Sequence, residues 1–400
     1  MQLPLGLRRV MYGMYGGLRA PFARRDVMLW PPVGTQERLD DFVARLKFHF
    51  PRDCEITIPH APGLQPPVKT PWYLADYSAR CSSEFRFVAA EGGNRSAVAL
   101  ALRHRGVVLT EAAEKIPGGG TARFLPNGAP LDPGDVEMET FWLAKFHDRG
   151  RATASKNSRR HFEEFRKSLP KKKKVYLLCT GPSLSRFAEF DFSDGYVIGC
   201  NTVVSNEALM KHAAPDFVVA SDPIFHFGPG IYAEKFRVDL AAAAQRQRFL
   251  FMTLATYHHL VPHHVMMEPG RVALPQLRLD VRARPFGEAW SVPQTANIMT
   301  MFMLPLARTL AKEIHIIGAD GREPGETYFW KHDPASQLTD KMQAIKAAHP
   351  AFFAKRNYVD YYDRHCAIVA SQIADIERDG GRVHTLTPSF IPALRDRLAT

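Results

Sequence analysis

The chain has 400 residues, which suits two or three domains of about 150 residues each. Its make-up, 46% hydrophobic and 23% charged, is that of a folded globular protein and excludes disorder over most of the length. Lys and Arg (52) outnumber Asp and Glu (41), and the net charge of +11 suits an anionic partner such as nucleic acid, a membrane face or a phosphate-bearing molecule.

Residues 1–25 mix apolar Leu3, Leu5, Leu7, Val10, Met11, Met14 and Phe22 with Arg8, Arg9, Arg19, Arg24 and Arg25. The arginines interrupt the apolar run and no small-residue cleavage site follows, so the segment does not read as a secretory signal. Two readings stay open: a basic amphipathic stretch lying on an anionic bilayer, or a helix packed on the protein body.

Residues 26–148 read as a small α/β accessory domain. Asp26–Trp30 is a short apolar strand stopped by Pro31-Pro32. Thr35 is placed to cap a helix carrying Glu37 and apolar Leu39, Phe42, Val43, Leu46 and Phe48. Strands are expected at Cys54–Ile58, Glu84–Ala89 and Gly106–Thr110, and a helix at Arg95–Arg105. Gly118–Gly120 and Pro126–Pro133 read as loop.

Residues 149–174 are dense in cations: Arg159, Arg160, Arg166, Lys167 and the run Lys171–Lys174. They read as a solvated basic linker leading into a strand, or as a binding patch.

Residues 175–400 read as a doubly wound, mostly parallel α/β domain. Strands are expected at Val175–Cys179, Tyr196–Cys200, Asp216–Ala220, Arg248–Met252, Glu313–Ile317 and Arg382–Leu386. Thr295–Ala311 reads as a long apolar helix and Tyr361–Arg378 as an amphipathic one. Ligands of such sheets sit beyond the carboxyl ends of the strands. That is where the polar residues fall. Thr180-Gly181-Pro182-Ser183 follows the first strand, where backbone N–H groups can hold a phosphate. Asn201, Asp222 and Asp320 end three others.

His365 reads as lying near a helix start, where the dipole lowers an imidazole pKa and leaves a neutral base. His258-His259 and His263-His264 are not aligned as metal ligands because Pro262 interrupts them. Cys54, Cys81, Cys179, Cys200 and Cys366 are odd in number and lack a CxxC pair, which excludes a disulfide framework and fits reduced thiols. No apolar run reaches the roughly 18 residues of a membrane-spanning helix.

Together these motifs resemble the bacterial sialyltransferases of glycosyltransferase family 42, over about Val175 to Ser389. The matching pieces are Leu177-Leu-Cys-Thr-Gly-Pro-Ser-Leu184, Gly199-Cys-Asn201, Ser221-Asp-Pro223, Thr295-Ala-Asn297, Gly318-Ala-Asp320, Tyr361-Tyr-Asp-Arg-His365 and Leu386-Thr-Pro-Ser389. The resemblance implies a sialyltransferase-like variant of the GT-A fold. It implies an inverting transfer of sialic acid or a similar sugar from a CMP-activated donor to a glycan or glycolipid hydroxyl, without metal or other cofactor.

His365 would then be the general base. Tyr328 would stabilise the leaving phosphate, with Tyr361 or Tyr362 in second place. Arg322 falls where the family has a tyrosine, as a fixed cation for the same work. The donor contacts implied are Thr180, Gly181, Pro182, Ser183, Asn201, Asp222, Thr295, Ala296, Asn297 and Asp320. Thr180 and Asp222 stand where the family has Asn, and Ala296-Asn297 where it has Ser-Gly.

The same Gly-Pro-Ser-Leu turn is similar to that of a wider group with the flagellin-glycosylation Maf proteins and the archaeal pterin diphosphokinase. That group implies, as the alternative, a Mg²⁺-dependent diphosphokinase using Asp222 and Asp320. A non-enzymatic basic binding protein is the third reading, but no nucleic-acid-binding signature appears. The expected setting is the cytoplasm, peripheral on the inner membrane, as a homo-oligomer.

Overall fold

A computed structural model describes residues 26–90, 106–109, 121–124, 140–322 and 358–399, apart from positions 31, 53, 68, 141–142 and 145–146. Residues 1–25, the helix expected at Arg95–Arg105, the loops at Gly118–Gly120 and Pro126–Pro133, and Tyr328 lie outside them. The chain divides into two compact units. The first runs through His147, with Gly228–Ile231 counted to it, and the second begins at Asp148.

The first unit is a five-stranded parallel sheet in the order β3-β2-β1-β4-β5. Its strands are β1 (Asp26–Trp30), β2 (Glu55–His60), β3 (Glu84–Ala89), β4 (Gly106–Leu109) and β5 (Thr121–Phe124). Helix α1 (Gln36–His49) starts where the sequence places it: Thr35 Oγ1 accepts the Arg38 N–H at 3.4 Å. Its Leu39, Phe42, Val43 and Leu46 pack with Val27, Leu29, Ile56 and Ile58 in one core.

The second unit is a seven-stranded parallel sheet in the order β10-β9-β8-β7-β6-β13-β14, compatible with a doubly wound α/β fold. The strands are β6 (Lys174–Leu178), β7 (Gly195–Cys200), β8 (Phe217–Val219), β9 (Leu250–Met252), β10 (Val272–Ala273), β13 (Glu313–Ile317) and β14 (Arg382–Thr385). Between them β11 (Gln276–Arg278) pairs with β12 (Ser291–Pro293) as a separate ribbon. Strands β6, β7, β8, β9 and β13 are almost wholly buried and read in sequence as continuous apolar runs. The strand order reverses at β6, whose partners are β7 on one side and β13 on the other. A crevice opens at such a reversal.

Three expectations need correction. The basic stretch is not a linker but helix α2 (Asp148–Ser168), the first element of the second unit. Ser155, Ser158, Phe162 and Phe165 are buried at helical spacing, and Phe162 packs against Phe217, Phe286 and Trp290. Two aromatics and two serines make too narrow an apolar stripe to stand out among so many cations.

The helix expected from Thr295 begins after Asn297. It opens with a π-turn, Met299–Met303, and continues as α4 (Leu304–Leu310). Pro305 has no N–H to return to the preceding turn, which is a usual cause of such a widening. The last helix, α5, starts at Tyr358 and ends at Arg378, so His365 lies two turns inside it.

Helix α3 (Ile231–Arg246) has no counterpart in the sequence reading. Its inner face uses Ala233, Ala243 and Ala244 beside Phe236 and Leu240, and alanines give a weak periodic signal.

Candidate functional site

Two glycines let the ends of β6 and β13 cross closely. The Gly181 N–H donates to Gly318 O at 2.8 Å. A Cβ on Gly181 would overlap the Asp320 carboxylate and come 2.5 Å from Gly318 O. Gly318 has φ +77°, and a Cβ there would overlap the Cys179 carbonyl.

Pro182–Glu189 then turns away as a short 3-10 helix. Its Ser183 N–H donates to both oxygens of Asp320 at 3.2 Å, and the Ser183 and Thr387 hydroxyls are 2.8 Å apart. Ser389 Oγ donates to Ala319 O at 2.6 Å, and the Phe390 N–H to Asp320 O at 2.6 Å. Asp320 therefore ties together the two strand ends and the C-terminal turn. Burial pushes its carboxyl up, against the hydrogen bonds from Ser183, which pull it down. The Ser183 N–H expected to hold a phosphate is thus taken by an internal carboxylate.

A cleft of about 510 Å³, counting its open mouth, lies over this crossing. Cys179, Thr180 and Gly181 follow β6, Cys200 ends β7 with Asn201 after it, Gly318 to Gly321 follow β13, Asn297 to Met299 open the π-turn, and Tyr362 and His365 stand on α5. Asn201 has φ +51°, a left-handed conformation that Asn tolerates better than most residues. Its side chain makes no hydrogen bond among the described residues, so its amide is available to a ligand. Asn297 Oδ1 accepts the Met299 N–H at 2.9 Å and so starts the helix.

His365 is 6% exposed. Burial lowers its pKa to about 4, which corrects the expected cause: two turns into α5, the residue is beyond the reach of the helix dipole. It is a neutral imidazole at pH 7. The Arg322 N–H donates to Tyr362 Oη at 3.1 Å, and the Arg322 guanidinium lies 5.0 Å over the Tyr362 ring. Burial raises the Tyr362 phenol to about 12, so it stays protonated.

Of the residues named from sequence, the cleft brings together Thr180, Gly181, Asn201, Asn297, Asp320, Tyr362 and His365. Pro182, Ser183, Thr295, Ala296, Tyr361 and Arg322 support it from behind or beside. Thr300 Oγ1 donates to Thr295 Oγ1 at 2.9 Å, and the Tyr361 hydroxyl donates to Ala296 O.

Asp222 is not in the cleft. Its Oδ1 accepts the Ile224 and Phe225 N–H groups at 2.7 Å, and its own N–H donates to His226 Nδ1 at 3.0 Å. It stabilises the turn after β8. Asp320 lines the cleft and Asp222 does not. No group of three or more His, Cys, Asp or Glu arranged to hold a metal occurs among the described residues.

The sequence reading missed Cys179 and Cys200, neighbours across β6 and β7, and it missed Met299, Gly321 and Ile391 in the lining. The two cysteines were legible as strand ends, but nothing in their spacing says that those strands pair. No family model, curated protein or solved structure matches this chain.

Proposed function

We propose that this chain is a sialyltransferase-like glycosyltransferase, a variant of the GT-A fold. It moves sialic acid or a similar sugar from a CMP-activated donor to a glycan or glycolipid hydroxyl, with inversion and without metal. One observation carries the reading: a buried, neutral His365 lines a cleft at the strand-order reversal together with Gly181, Asn201 and Asp320. A neutral base beside a polar cleft suits proton abstraction from a hydroxyl.

In the reaction the acceptor oxygen bonds to the anomeric carbon while that carbon's bond to the phosphate oxygen breaks. The electron pair leaves with CMP, and the acceptor proton passes to His365. Thr180, Asn201 and Asn297 offer hydrogen bonds to the nucleotide. Arg322, stacked on Tyr362, is the cation beside the departing phosphate. The protein would work on the cytoplasmic side of the membrane as a peripheral homo-oligomer. No helix among the described residues is long and apolar enough to cross a membrane.

Replacing His365 with Ala should lower turnover about 10²–10⁴-fold while the thermal shift given by CMP in EDTA stays unchanged. In the unaltered protein kcat/KM should rise with pH through an acid limb near 4, not near the 6.5 of an exposed imidazole, because base catalysis needs the unprotonated ring. Transfer at full rate by the variant would remove His365 from the chemistry. Stabilisation by ATP with Mg²⁺ and not by CMP would replace this function with the diphosphokinase.

A further inference from the structure

The charge of this protein is concentrated on one helix and the lysine run that follows it. Residues 148–174 hold eleven Lys and Arg against three Asp and Glu, a net +8 of the chain's +11. Helix α2 holds seven of these cations against the three acids, a net +4, and the run Lys171–Lys174 after it supplies the other +4. At 3.6 residues per turn, Lys156, Arg160 and Lys167 fall on one stripe with Arg159 beside it. All four are exposed, and Lys171 and Lys173 extend the row beyond the helix end. The opposite face carries the buried Ser155, Ser158, Phe162 and Phe165.

Some of these cations have protein partners: Lys174 pairs with Asp194 at 2.8 Å, and Lys172 Nζ donates to Gly195 O at 2.8 Å. Arg166 is paired with Glu163 at 2.8 Å, and Arg160 lies 3.7 Å from an exposed Glu164. Lys156, Arg159, Lys167, Lys171 and Lys173 make no ion pair or side-chain hydrogen bond among the described residues. Like charges held this close repel one another, so an external polyanion would stabilise the row.

We propose that the outer face of α2 docks on an anionic phospholipid surface. The helix keeps its apolar side in the protein core, so the contact is electrostatic and does not insert. The stripe exposes no aromatic side chain for base stacking; the other exposed positions of α2 among the described residues are Gly150, Ala152, Thr153, Asn157, Glu164 and Ser168. The chain's other arginine-rich stretch, residues 1–25, mixes its arginines with Leu, Met, Tyr and Phe. A bilayer accepts all of these side chains, whereas nucleic acid would leave the aliphatic Leu and Met unused. The inference does not depend on sugar transfer, because vesicle binding is read without donor or turnover.

The test is flotation of the full chain with phosphatidylcholine vesicles, with and without about one-third phosphatidylglycerol. The protein should float only with the anionic vesicles and detach at about 1 M salt, where the screening length falls to about 3 Å. A variant with Lys156, Arg159 and Lys167 changed to Gln should bind about 100-fold more weakly, since each cation near such a surface is worth about fivefold. These are exposed positions, and an unchanged thermal midpoint would show the variant folded. Equal flotation with neutral vesicles would overturn the proposal, as would undiminished binding by the variant. Binding to a mixed-sequence oligonucleotide with no binding to anionic vesicles would assign the stripe to nucleic acid instead.

Discussion

Gly181 shows how one residue type decides the geometry of this cleft. The absence of a side chain lets the β6 end approach both the Gly318 carbonyl and the Asp320 carboxylate. Both obstacles are fixed: one is backbone, and the other is held by the Ser183 N–H at 3.2 Å. Gly181→Ala should therefore cost about 1–3 kcal/mol, the usual penalty for overpacking a closed site, and should abolish nucleotide binding. Urea unfolding of the variant and a CMP titration would measure the two effects separately. An unchanged unfolding midpoint would show that the crossing is looser than described. His365 illustrates the other residue-scale lesson. The sequence predicts a neutral ring but assigns it to the helix dipole, because burial is set by what packs around α5 and not by the position of a histidine in a string of letters.

Among the elements, α2 departs furthest from its sequence reading. Its charge density argued for solvent, and its outer face agrees, but its inner face is an integral wall of the second unit. The Trp290 indole N–H donates to Ser155 O at 2.9 Å, and the Leu274 N–H donates to Ser158 Oγ at 2.9 Å. Phe162 is fully buried among Phe217, Phe286 and Trp290. Phe162→Ala should destabilise the protein by about 3–5 kcal/mol, read as a shift in the denaturant midpoint. A linker residue would cost almost nothing. The π-turn at Met299–Met303 is a second case. The apolar run predicted a helix correctly, but it could not show that the helix would start after Asn297 and place that residue at the cleft.

At the scale of the whole molecule, two buried histidines couple stability to pH. Burial lowers His226 to about 3 and His365 to about 4, against 6.5 when exposed. Below pH 6.5 the unfolded chain takes up protons that the folded chain refuses, so these two groups make stability fall as pH drops from about 6.5 towards 4 and 3. Thermal midpoints should fall over that window, and replacing His226 with Gln should flatten the fall. An equal fall in that variant would remove His226 as a cause. The sequence by itself determined that the chain folds, that its strands alternate with helices, and that polar residues stand at the strand ends, because apolar runs and turn residues are local signals. Val175–Cys179, Tyr196–Cys200 and Glu313–Ile317 each lie within a residue of an observed strand. Only the tertiary structure decided that β6 lies between β7 and β13, which gathers Gly181, Asn201 and Asp320 around one cleft and leaves Asp222 outside it. Strand order is a non-local choice, settled by which faces bury one another, and no spacing along the chain records it.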